Sequence, residues 1–211
     1  WAADGSADGE AWLEPRGPRV EIGGRAYVVG ADGVPEAEGC LEPPDDYTRV
    51  QDGWAVFNQR TRFMLDQAQR LYAAQTGQRY ARFIITQGSY NPGAVSASFG
   101  THDGGGAVDI SVRDPQTWAV LTDELDDMIY ALRAAGFAAW VRAEGSLYTE
   151  SPIHIHAVAV GDRELSPAAW AQVYGPGGYL AGYDGLPADY GGPHADPHGG
   201  PVICRWMDSG G

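Results

Sequence analysis

Apolar residues along this chain keep two different periods, and each change of period marks an element. Over VFNQRTRFMLDQAQRLYAAQTG, the residues Phe57, Met64, Ala68, Leu71 and Tyr72 recur at helical spacing, which predicts a helix. Asn58 can cap its start and Gly77 can end it. ARFIITQ is a short apolar run with β-branched residues and reads as a buried strand. GAVDISV reads as a second strand, after the long loop GSYNPGAVSASFGTHDGGG. Long loops inside compact domains are mostly functional or disordered. Asp114-Pro115 predicts the start of a second helix, with Asp114 as N-cap and Pro115 as the first helical residue. Trp118, Leu121, Leu125, Met128, Ile129 and Leu132 would form its inner face, and Gly136 would stop it. FAAWVRA and IHIHAVAV read as a third and a fourth strand, and SPAAWAQVYG as a short third helix with a Ser-Pro start. Strands not strictly alternated by helices predict an α+β fold, a small and mostly antiparallel sheet with helices packed on one face.

Outside this stretch the pattern loosens. Residues 1–50 are rich in Gly, Pro, Asp and Glu, with one strand pair, RVEIGGRAYVV, turning at Gly23-Gly24. They read as an N-terminal arm packed on a core at 51–180. Residues 181–211 form a Gly/Pro-rich C-terminal tail, and no internal repeat is visible.

Composition narrows the functional classes. The chain has 211 residues, 44% of them hydrophobic, enough for one domain with a packed core. A formal charge of -14 argues against nucleic-acid binding, which needs a basic footprint, and against adhesion to anionic membranes. All 14 basic residues are arginine, which reads as codon bias more than chemistry. No apolar stretch approaches the roughly 20 residues of a membrane span. The chain begins at Trp1 with no visible signal peptide. A mature secreted chain looks like this, and so does an excised piece. Cys40 and Cys204 stand one near each end, in no metal-ligand spacing. They either remain free thiols or tie the arm to the tail in an oxidising compartment.

The candidate chemistry lies in GTHDGGGAVDI and SPIHIHAVAV. There are five histidines, and three of them fall in these two stretches. Strand alternation points His154 and His156 the same way, with Ile153 and Ile155 toward the core. Asp109, between Val108 and Ile110, faces away from its apolar neighbours. A carboxylate over a sheet is costly unless it is paired or binds a cation. Two His and one Asp on one sheet face can hold zinc with a fourth position open, the arrangement of catalytic zinc. The alternative is a polar sheet face whose members only hydrogen-bond with one another. The glycines after His102 either let backbone approach a substrate or let the loop turn tightly.

His102, Gly105, Ala107 and Asp109 form H-x-x-G-x-A-x-D, and with the downstream H-x-H this resembles the zinc D-Ala-D-Ala metallopeptidase superfamily. That superfamily cleaves peptidoglycan peptides and includes lysostaphin-type enzymes and the hedgehog signalling domain. The resemblance covers about residues 55–175. It implies zinc held by His102, Asp109 and His156, with His154 as catalytic base or transition-state stabiliser. It also implies a metal-activated water attacking an amide carbonyl. The implied partner is a peptidoglycan peptide, with no nucleic acid and no membrane insertion. A monomer acting outside the cytoplasm, secreted, is expected. Gln87 and Tyr90 would contact substrate. Two departures stand out. Many relatives place Ser-Gly-Tyr-Arg after the first strand, where the arginine grips a substrate carboxylate. Here Gln87-Gly88-Ser89-Tyr90 carries none, so D,D-carboxypeptidase and endopeptidase stay equally open. Other relatives place a glutamate three residues before the last ligand. Here that residue is Ile153, which leaves Glu150 as a reserve base.

Two other readings stay open: a non-catalytic zinc-containing binding module, and a zinc amidohydrolase or esterase on another substrate. Lesser signals are Asp103, either a partner orienting a ligand or a solvated acid, and His194 with His198 in the tail, either a second metal site or part of a docked segment. Trp118, Trp140 and Trp170 fit core positions, while Trp1, Trp12 and Trp54 either anchor the arm or line a groove.

Overall fold

The computed structural model describes residues 18–22, 25–77, 83–93 and 98–208. Trp1, Trp12 and the Gly23-Gly24 turn lie outside the described residues. The flanking strands, β1 (Arg19–Ile22) and β2 (Arg25–Val29), pair antiparallel with Ile22 opposite Arg25. β3 (Pro35–Ala37) joins them. This arm is part of the globule, because Ala37 is buried in the main core and Tyr27 packs against it. A second hairpin, β4 (Arg49–Asp52) and β5 (Ala55–Asn58), leads into α1 (Gln59–Thr76). Trp54, at its tip, is exposed.

α1 starts and stops where its caps direct. The Asn58 side chain accepts from Thr61 N at 2.8 Å, and Gly77 ends the helix in the left-handed region at φ 70°. The main sheet is antiparallel, in the order β6 (Ile85–Gln87), β7 (Ala107–Ser111), β9 (His154–Ala159), β8 (Phe137–Arg142). The fold is α+β. Val108, Ile110, Phe137, Ala139, Ile155 and Ala157 face α1 and α2 (Leu125–Ala134) in one continuous core. Ala107, Ala138, Trp140 and Val158 face the other way, against Ala169 and Val173 of α3 (Pro167–Tyr174). The short α3 therefore lies on the opposite face, the one carrying Asp109 and His156. Ser166 caps it, accepting from Ala169 N at 3.1 Å.

The second helix differs from expectation. Asp114 does accept from Gln116 N and Thr117 N, at 2.9 and 2.7 Å. The chain then reverses instead of winding on. Trp118 takes φ 62°, Asp114 N bonds Ala119 O, and Arg113 bridges Val120 antiparallel. A 3-10 turn at Thr122–Glu124 precedes α2, so the helix begins at Leu125. A capping aspartate serves a single Asx turn as well as a helix, and the strand-like return decides between them. Trp118 consequently is 71% exposed; Trp170, on α3, is 55% exposed, so neither is a core residue, whereas Trp140 is buried. Gly136 ends this region at φ 101°, and a Cβ there would stand 2.6 Å from Trp206.

The tail is docked. Cys40 and Cys204 form a disulfide across 164 residues of chain. Arg133 of α2 is fully buried, donates to Ala139 O, His198 O and Gly200 O, and pairs with Asp196 at 2.7 Å. Among the described residues no helix is long and apolar enough to cross a membrane.

Candidate metal centre

Cross-strand register assembles the centre. Gln87 lies opposite Asp109, Asp109 opposite His156, and His156 opposite Trp140, so one row runs across all four strands. His102 joins from the loop. Its 3-10 turn, Thr101–Asp103, is held by Asn91 N bonding His102 O and Tyr90 N bonding Gly104 O, each at 2.8 Å. The glycines beside it serve close packing. A Cβ at Gly105 would meet the Tyr90 hydroxyl at 2.8 Å, and one at Gly104 would strike the backbone of Glu164 and Ser166.

Asp109 Oδ1 stands 2.8 Å from His156 Nδ1 and 3.3 Å from His102 Nε2. The far nitrogen of each ring is anchored. His102 Nδ1 lies 2.9 Å from Gly88 O, and His156 Nε2 lies 2.9 Å from Gln172 Oε1. Both partners are acceptors, so these nitrogens carry the hydrogens. Each imidazole in its neutral form thus aims a lone pair at a carboxylate oxygen, an arrangement that a cation relieves. Anchoring the outer N–H in this way is what orients metal-ligating histidines. All three residues are buried within their surroundings, and their ligand atoms lie within 4.8 Å of one another. Two imidazole nitrogens and a carboxylate oxygen suit zinc, and donors about 2.0–2.2 Å from a tetrahedral ion stand about 3.3–3.6 Å apart. The 3.3 Å pair meets that spacing as it stands, and the 2.8 Å pair meets it after opening by about 0.5 Å. His102, Asp109 and His156 can therefore hold a metal ion.

The local charges are set by burial and by these contacts. Burial opposes the charge on Asp109, but the contacts with His102, above all when that ring carries a second proton, and with His156 outweigh it and hold the carboxyl well below its usual range. Burial pushes His156 down to about 4 against the pull of Asp109, so the ring is neutral at pH 7. At His102 burial also opposes the charge, and the Asp109 contact prevails, raising it.

The trio forms the floor of a cleft of about 340 Å3, bordered by Gln87, Phe99, Trp118, Arg142 and Tyr148. His154 is at its edge. Its Nδ1 donates to Pro152 O at 2.8 Å, which leaves Nε2 facing the cleft 3.8 Å from Asp109 Oδ2. Gln87 lines the wall and is paired with Ser98, its Nε2 3.0 Å from the hydroxyl. Tyr90 is not brought here. Its chain turns away at φ 56°, its ring sits under Arg49, and its hydroxyl meets Glu164 and Asn58. Burial and the Glu164 bond push that phenol up to about 12. Asp103 is exposed and accepts from Gly93 N at 3.3 Å, so it orients no ligand. Glu150 is exposed, outside the cleft lining. His194 pairs with Asp184 and His198 with Asp126, at 2.9 and 3.1 Å, so the two anchor the tail at separate points.

Sequence reasoning missed Gln172 and Arg142. Gln172 follows Ala169 by three residues and adjoins Val173, so a polar side chain at a core-facing helical position was its signal. Arg142 ends an apolar strand on the same face as Trp140. No family model, no curated protein and no solved structure matches the chain, so its likeness to the D-Ala-D-Ala metallopeptidases rests on the motif residues from His102 to His156.

Proposed function

We propose that this protein is a secreted zinc metallopeptidase that hydrolyses amide bonds in peptidoglycan peptides. The observation that carries the reading is the convergence of His102 Nε2, His156 Nδ1 and Asp109 Oδ1 at the floor of an open cleft, with both outer imidazole nitrogens anchored. A structural zinc site is closed by four protein ligands, whereas three ligands under a cleft leave a position for water or substrate. When bound, zinc supplies Lewis acidity and an activated water at neutral pH. The remaining work falls to the chain. His154, its Nδ1–H held by Pro152 O, turns a free Nε2 toward the reacting region and can take a proton from water and return it to the leaving amine. Gln87 and the Phe99, Trp118 and Tyr148 rings shape the walls along which a peptide lies. The Cys40–Cys204 disulfide is of a kind that persists in oxidising compartments, which supports action outside the cytoplasm.

The test is elemental analysis of the purified protein beside His156→Ala, followed by incubation with peptidoglycan fragments. About one zinc per chain, lost in the variant, with zinc-dependent release of amino groups from the fragments, is expected. No zinc uptake at neutral pH removes the reading. Zinc uptake without cleavage of any wall peptide moves the site to another substrate or to a binding role.

A further inference from the structure

The three candidate ligands are held in place by different means. Asp109 and His156 stand opposite each other on paired strands, so the sheet fixes their separation. His102 is on no strand, and its place beside them depends on what grips its loop. The loop from His102 to Gly106 runs between two segments. On one side is the chain after β6, where Asn91 N donates to His102 O and Tyr90 N to Gly104 O, each at 2.8 Å. On the other is the turn after β9, where Glu164 O accepts from Gly105 N at 2.7 Å.

Side chains join these two segments across the loop. The Tyr90 hydroxyl donates to Glu164 Oε2. Beside it, Asn58 Nδ2 donates to the Tyr90 hydroxyl at 3.2 Å and to Asp162 Oδ2 at 2.8 Å. An amide nitrogen carries two hydrogens, so both bonds form at once. Asp162 Oδ1 accepts from Glu164 N at 2.8 Å, which ties the turn to the same group. Asn58 is itself immobilised, because its Oδ1 caps α1. Asn58 and Asp162 are buried while Glu164 is exposed, so a buried pin supports an outer closure. Gly105 is what they enclose. A Cβ there would stand 2.8 Å from the Tyr90 hydroxyl and 3.0 Å from both Asn58 Nδ2 and Glu164 Cβ.

We infer that Tyr90, Glu164, Asn58 and Asp162 form a clasp that positions His102 for a metal ion, with the Tyr90–Glu164 bond as its closure. The inference rests on the metal-centre reading. It makes Tyr90 a positioning residue, acting through the loop without touching the cleft. A site binds in proportion to the fraction of chains in which all its ligands are in place, so opening the clasp weakens the metal without altering any ligand.

The experiment measures zinc affinity of the full chain by competition with a chromophoric chelator, beside amide hydrogen exchange of the zinc-free protein. Tyr90→Phe keeps the ring under Arg49 and removes the closure. It should bind zinc about 3- to 10-fold more weakly, the share of one exposed bond to a charged acceptor. Exchange at Gly105 and Asn91 should quicken, with the β7–β9 ladder unchanged. Glu164→Ala should behave alike, and Glu164→Gln, whose amide oxygen still accepts from the hydroxyl, should recover most of the loss. Asp196→Ala, which destabilises the fold outside the clasp, should keep wild-type zinc affinity. Where Tyr90→Phe fails to fold, the two Glu164 variants, altered at an exposed position, decide. Wild-type affinity and exchange in Tyr90→Phe, equal losses in Glu164→Gln and Glu164→Ala, or the same loss in Asp196→Ala overturns the inference. A wild type that takes up no zinc removes the metal reading, and the clasp then stands or falls on the exchange rates alone.

Discussion

Gln172 gives the sharpest handle on the candidate centre, because it would act on a bound metal only through a tautomer. Its Oε1 accepts the His156 Nε2 hydrogen at 2.9 Å, in a position where both side chains are buried. Replacing it with leucine keeps the volume and removes the acceptor. The imidazole then either strands a buried N–H, costing about 1–3 kcal/mol, or moves its hydrogen to Nδ1, where it blocks the lone pair aimed at Asp109. Both outcomes weaken metal binding, and loss of such an outer partner typically costs 10–100-fold in affinity, about 1.4–2.7 kcal/mol. The fold should survive, since the Ala169 and Val173 contacts of α3 remain. The assay is competition for zinc against a chromophoric chelator, beside a thermal melt and the His156 ring 15N shifts. Gln172→Leu should lose 10- to 100-fold in zinc affinity while still melting in one cooperative transition, and Gln172→Glu should hold zinc at least as tightly as wild type. Unchanged zinc affinity in Gln172→Leu, or an Nδ1-protonated His156 already present in the zinc-free wild type, would refute the reasoning.

Three further outcomes follow from the same structure. Asp196→Ala leaves Arg133 buried with only carbonyl partners, and breaking a buried pair costs about 3–5 kcal/mol. The contact is close but poorly aligned as a hydrogen bond, so the lower value, about 3 kcal/mol, is expected, seen as a fall of about 6–12 °C in the calorimetric melting temperature. Reducing the Cys40–Cys204 bond frees a loop of 164 residues, for which chain entropy predicts a loss of up to about 5 kcal/mol, read from denaturant curves with and without reductant. At Asp184 burial opposes ionisation, but bonds from Leu186 N, His194 N and the His194 side chain outweigh it and hold the carboxyl below its ordinary 3.8. A depressed carboxyl stabilises the fold above pH 3.8 and loses that contribution as pH falls through its lowered value. Asp184→Asn should therefore be less stable than wild type at neutral pH, with the gap closing in stronger acid; a gap that stays constant across urea melts down to pH 2 would contradict this.

Much of the molecule was legible in the sequence wherever short-range physics decides. The period of Met64, Ala68 and Leu71, with Asn58 and Gly77 at the ends, predicted α1 to the residue. Alternation along GAVDISV and IHIHAVAV placed Asp109 and His156 on one face and Ile110 and Ile155 on the other. These follow from backbone geometry, which neighbours along the chain determine. The second helix failed because Asp114-Pro115 is equally a turn, and the return of residues 118–120 against Arg113 overruled it. That reversal turned Trp118 from an expected core residue into a wall of the cleft. Tyr90 stands next to the site in sequence and outside it in space, because one left-handed residue redirects the loop. Gln172 carries one faint local mark, a polar side chain at a core-facing helical position, and Arg142 carries none of what it meets. Each reaches the centre only because α3 packs on the polar face of the sheet and β8 pairs with β9 in a particular register. Local periodicity tells which way a side chain points from its own strand. Which other side chains it meets depends on register and packing between segments far apart in the chain, and only the tertiary structure decides that.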